Sequence, residues 1–163
     1  MNKGYEDVLS SISSSNPTPG GGSVSALILS HAHSLATMVA RLTSGRDKWS
    51  DGQGIAEEII SKSNESIETS LRLAKEDALA FDSVMSSYRL PRDTDELKET
   101  RKEAIFDSTI NAASVPLEIM YEASNLLNDI INLAKFGNLN ALTDLLGSAE
   151  LAYSSSKIAS LNV

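Results

Sequence analysis

The chain of 163 residues contains no cysteine, so disulfides, thiol nucleophiles and thiolate metal sites are excluded. Histidine is scarce. His31 and His33 are its only two, and at that spacing they fall on different faces of a helix, which argues against a metal site of zinc type. Basic residues are outnumbered, 14 Lys and Arg against 22 Asp and Glu, giving a formal net charge of -8. With no long basic run to offset that balance, a nucleic-acid partner is disfavoured. Nothing in the chain alternates as a strand would, and no internal repeat is evident. Residues 1–7 lack the basic-then-apolar pattern of a signal peptide, so the cytoplasm is the expected location. The length fits one domain over 1–163 that can bury a real core.

Formal charge is also absent from Pro19 to the residue before Arg41. That stretch is long enough to span a bilayer, but three glycines, four serines, two histidines and Thr37 make it too polar for lipid, and no membrane partner is expected. A helix without a charged face belongs at the centre of a bundle or in a subunit interface. Val24, Leu27, Ile28, His31, Leu35, Met38 and Leu42 share one face, and Ala26, Ser30, His33, Thr37 and Ala40 share a smaller one. Small residues permit close helix pairing, so the second face is expected at a dimer axis.

The opening of this helix is the segment Asn16-Pro17-Thr18-Pro19-Gly20-Gly21-Gly22-Ser23. Glycines permit positive φ and close approach, and Ser23 can cap the helix. Two readings stand. Unpaired amides at the junction can receive a carboxylate, a phosphate or an electron-rich ring edge, or the glycines serve only packing. The loop matches neither a phosphate-binding P-loop, which needs a Lys-Ser/Thr pair after its glycines, nor a dinucleotide fingerprint, which needs a preceding strand.

The rest of the chain reads as helix. Tyr5, Val8, Leu9 and Ile12 make a short apolar stripe, and Gly45 is a plausible stop for the central helix. Arg41, Arg46, Lys48 and Trp49 then form a cationic island in an acidic protein, suited to an anionic ligand tail or simply to a helix C-terminus. Residues 50–54 read as a loop. One very long helix then runs to Tyr88, with Ile55, Ile59, Ile67, Leu71, Ala74, Ala78, Phe81, Met85 and Tyr88 as the expected core stripe. Asp77 lies at the edge of that stripe, either as a boundary residue or as a carboxylate tuned by partial burial. Asp93 or Thr94 can cap the next helix, Pro116 is expected to kink or divide it, and Gly137-Asn138 ends it. The last helix runs from about Asn140, with Asp144 in its first turns. The sum is an all-α, up-and-down bundle of about five helices.

Taken in order, these motifs resemble the cyclodeaminase/cyclohydrolase family, that is, the cyclodeaminase domain of formiminotransferase-cyclodeaminase and its stand-alone relatives. The resemblance rests on Pro19-Gly20-Gly21-Gly22-Ser23, Met38-Val39-Ala40, Leu42-Thr43, Gly45, Arg46, Lys48, Asp77 with Ala80-Phe81, Arg101 with Ala104, Val115-Pro116-Leu117, Gly137-Asn138, Asn140, Thr143-Asp144 and Asn162-Val163. It implies an all-α homodimer that acts on a tetrahydrofolate derivative with no metal and no cofactor. The implied reactions are cyclisation of 5-formimino-tetrahydrofolate with loss of ammonia, and hydration of the methenyl form. Both pass through a tetrahedral one-carbon centre, which requires proton transfer and positioning. On this resemblance Asp77 and Asp144 are expected beside the one-carbon unit, with Lys48 as electrostatic or acid partner. Gly20, Gly21, Gly22, Ser23, Thr43, Asn138 and Asn140 are expected to hold the pterin or its amide, and Arg46 or Arg101 the glutamate tail. His31 and His33 stand where the family is small or apolar and are expected to be structural. The alternative is a catalytically silent helical dimer that binds folate or a protein partner. All of this expects distant parts of the chain to wall one cleft, within a copy or between paired copies.

Overall fold

A computed structural model describes residues 3–163. Five helices, α1 (Lys3–Ile12), α2 (Gly21–Thr43), α3 (Gln53–Tyr88), α4 (Asp95–Phe136) and α5 (Leu142–Ala159), are joined by short 3-10 turns at Asp47–Gly52 and Leu139–Ala141, with a third at Ser160–Asn162. No strand occurs among the described residues. The stretch expected as a loop at 50–54 is instead the end of a 3-10 turn and the start of α3.

Helix α2 is the axis of the bundle, packed mainly against α3 and α5, with α4 laid against those two. It is long and apolar enough to cross a membrane, yet most of it is buried inside the protein. Its small face makes that possible. All of that face is buried, Ala26 and Ala40 completely and Ser30, His33 and Thr37 nearly so, with Ala32 and Ala36 also completely buried. Helix α5 runs antiparallel so close to α2 that Ser148 donates a hydrogen bond to the Ala32 carbonyl (2.7 Å) and Ser155 to the Ser25 carbonyl (2.8 Å). The small face therefore lies within the chain and not at a dimer axis. The large apolar stripe is the outward one, with Met38 37% and Leu42 39% exposed.

The same choice recurs on α3. Of the expected stripe Ile59 is buried, but Leu71, Phe81, Met85 and Tyr88 are all more than a third exposed. Ala56, Ser63, Ser70, Leu73, Ala80 and Ser87 face the core instead. Two neighbouring stripes competed, and the smaller won because it lets helices close to short separation. Pro116 neither ends nor divides α4; it is completely buried within a helix that runs on to Phe136. The Thr94 hydroxyl accepts from the Leu97 amide (3.2 Å), the expected N-cap. Gly45 closes α2 at φ 71°, a conformation that favours glycine.

Candidate active site

Two groups of residues emerge, one at each end of α2. At the first end Gly20 is the N-cap and Gly21 and Gly22 already lie in the helix. Ser23 does not cap. Its buried hydroxyl crosses to α3 and donates to Asp77 Oδ2 (2.8 Å). Gly22 makes the crossing possible, because a Cβ at that position would lie 2.6 Å from Asp77 Cγ and 2.8 Å from Oδ2, and closer still to Oδ1. The anion expected at this helix N-terminus is thus the protein's own carboxylate, aligned favourably with the helix dipole. Asp77 is half-buried, so one oxygen is fixed by Ser23 while the group keeps access to the surface.

At the opposite end, the joint between α2, α3 and α4 uses most of the expected ligands structurally. Thr43 is completely buried; its hydroxyl donates to Val39 O (2.9 Å) and accepts from the Asn138 amide (3.0 Å). The Asn138 side chain donates to Leu42 O and accepts from the Asn140 amide, both at 3.0 Å. Neither side chain is presented to a pterin as expected; they tie the end of α2 to the start of α5. Gln53, which belongs to none of the motifs, completes the joint by accepting from Gly45 N (2.8 Å) and donating to Thr43 O (3.1 Å) and Trp49 O (3.2 Å).

Beside this joint Lys48 lies over the Trp49 ring, 4.7 Å from its centroid, at a cleft of about 220 Å³ that Lys135, Phe136, Gly137 and Leu139 also line. Lys135 and Phe136 stand outside the motifs on which the resemblance rests. The available signal is Lys135 in the last turn before the Gly137 stop, a position easily taken for helix-dipole matching. Arg46, Asn140 and Asp144 are exposed at this same end. Arg101 belongs to neither group. It lies eleven residues past Asp77 by its contact with Tyr88, about 16 Å along α3 at 1.5 Å per residue, donating to Tyr88 O (3.3 and 3.1 Å) and covering the Tyr88 ring.

The groups are far apart within one chain. Gly22 and Thr43 are separated by 21 residues of helix, roughly 32 Å. Asp77 therefore does not share a cleft with Lys48 or Asp144 in a single copy. Among the described residues, no group of three or more His, Asp or Glu side chains is placed to hold a metal ion.

Comparison with known proteins agrees with this architecture. The chain is 33% identical over 162 residues to a methenyltetrahydrofolate cyclohydrolase of Methylorubrum extorquens, covering 99% of this chain and 78% of that one. It is 32% identical over 127 residues to the formimidoyltransferase-cyclodeaminase of Rattus norvegicus, covering 78% of this chain but only 24% of that longer protein. The crystal structure of a formiminotetrahydrofolate cyclodeaminase from Thermotoga maritima superposes with a TM-score of 0.87 at 28% identity, over 97% of this chain and 75% of that one. The family model for formiminotransferase-cyclodeaminase matches residues 4–163, and the chain belongs to that family.

Proposed function

We propose that the protein is a cytoplasmic folate one-carbon enzyme, a methenyltetrahydrofolate cyclohydrolase or formiminotetrahydrofolate cyclodeaminase, working as a homodimer by acid-base chemistry of its own side chains. The observation that carries the dimer is the 32 Å or so between the two residue groups, on a helix whose outward stripe is apolar. An antiparallel pairing of two α2 stripes about a two-fold axis sets the Gly22–Asp77 end of one copy beside the Lys48–Asp144 end of its partner. Each site is then composite.

In the hydration direction, Asp77, oriented by Ser23, takes the proton from water as its oxygen attacks the methenyl carbon. The hydroxyl on the resulting tetrahedral carbon then gives up its proton and becomes the formyl oxygen as the bond from that carbon to the N5 nitrogen breaks, and Lys48 stabilises or protonates the departing nitrogen. In the cyclodeaminase direction the N10 nitrogen bonds to the formimino carbon and yields its proton to the base, and the acid protonates the amino nitrogen, which leaves as ammonia. Asp144 is the second carboxylate at the one-carbon unit, and Lys135 and Arg46 receive the anionic glutamate tail beside Phe136. The exposed start of α2 at Gly21 receives the pterin edge.

The test is loss of methenyl-tetrahydrofolate absorbance after subtraction of spontaneous hydrolysis, for wild type and for Asp77→Asn and Lys48→Met. Each variant alone should be inactive. Co-refolded in equal amounts they should regain about a quarter of wild-type activity, since half the dimers are mixed and each carries one intact site. Wild type without turnover identifies the silent dimer, and inactive variants that never complement refute the composite site.

A further inference from the structure

Halfway along α2, eleven residues and about 16 Å from Gly22, a polar cleft of about 290 Å³ opens between α2, α3 and α4, away from both groups described above. His33 faces it. That side chain is only 8% exposed, and its Nε2 has no hydrogen-bond partner. A buried ring nitrogen left unpaired costs free energy unless something in the cleft completes it.

The remaining polar lining is Lys62, Ser66, Glu122, Asn125, Asn128 and Asp129. Lys62 is paired with Glu58 on its own helix and its charge also acts on Asp129, so the cleft sets one cation against the three carboxylates of Glu58, Glu122 and Asp129. Glu122 and Asp129 leave the cleft negative and rich in acceptors, and burial pushes the Asp129 carboxyl above its usual range. Burial also lowers His33 to about 4, so at neutral pH the ring is uncharged and offers a lone pair. Metal ligation is disfavoured, because the described residues provide no cluster of three such ligands.

We propose that the His33 cleft binds a small organic cation carrying several N–H donors, of which a primary alkylammonium is the simplest case. Its hydrogen bonds go to the His33 ring nitrogen and the amide oxygens of Asn125 and Asn128, and its charge is balanced by Glu122 and Asp129.

Having only two histidines makes the test direct. Ring resonances of isotope-labelled histidine are followed at neutral pH as methylammonium chloride is added, with the exposed His31 as internal control. Tetramethylammonium and sodium chlorides serve as cations without N–H donors. The expected result is a saturable shift of His33 with methylammonium alone. Asp129→Asn and Glu122→Gln, each checked for unchanged helical circular dichroism, should weaken binding on the order of tenfold, through loss of a balancing carboxylate charge. A response that does not saturate, that tetramethylammonium or sodium reproduces, or that survives in both variants overturns the proposal and leaves a cleft filled by water.

Discussion

Gly22→Ala is the sharpest probe of the contact between α2 and α3. The added methyl would lie 2.6 Å from Asp77 Cγ, and the carboxylate cannot turn away without losing its 2.8 Å hydrogen bond from Ser23. Overpacking at such a contact costs roughly 1–3 kcal/mol. Leaving the buried Ser23 hydroxyl without its acceptor costs about 1–3 kcal/mol more, and the helix regains about 1 kcal/mol from exchanging glycine for alanine. The net expectation is a loss near 3 kcal/mol, which in a domain of this size lowers Tm by about 6–12 °C. Urea unfolding of four proteins measures it: wild type, Gly22→Ala, Asp77→Ala and the double variant. With the carboxylate gone, Gly22→Ala should be neutral or stabilising by up to about 1 kcal/mol, a coupling of at least about 2 kcal/mol. Gly54→Ala is the control, since nothing lies within 4 Å of the added atom. Equal costs of Gly22→Ala in the two backgrounds would refute the reasoning, because the clash would then lie elsewhere.

Three further outcomes are expected. His33, lowered by burial to about 4 in the folded protein against about 6.5 unfolded, contributes stability that is fully present above pH 6.5 and lost as pH falls toward 4, up to about 3 kcal/mol. Asp129, raised by its own burial, acts in the opposite sense, adding stability as pH falls through its raised range, and His33 sets the trend at higher pH, so urea midpoints between pH 7 and pH 5 should fall in wild type and flatten in His33→Gln. Lys135→Ala should raise KM for a polyglutamylated folate more than for a monoglutamate, with kcat little changed; equal KM for both forms in wild type and variant removes Lys135 from the tail site. Arg101→Ala should lower thermal stability through the lost ties to Tyr88 while leaving KM intact, and a selective rise in KM for the polyglutamate would restore Arg101 as a tail ligand.

Much of the architecture was legible in the chain itself. Long stretches of helical period, punctuated by Gly45, by Thr94 with its cap, and by Gly137, mark the helices, and the uncharged run after Gly20 marks the one that must be central. Asp77 at the margin of a stripe and the glycines ahead of Val24 were visible as candidates, and the structure adds that they touch across two helices. Thr43 and Asn138 were visible as well, but nothing local could reveal that their polar atoms serve backbone partners about 95 residues apart.

What sequence by itself determined is the set of helices, because period, caps and breakers act within a few residues and need no distant partner. Which stripe of α2 and α3 is buried depended on how closely neighbouring helices approach, and that favoured alanine and serine over the larger side chains. The distribution of candidate residues between two ends of one helix was likewise a tertiary decision. It arises from chain direction and helix length, which convert neighbours in a motif series into groups roughly 32 Å apart.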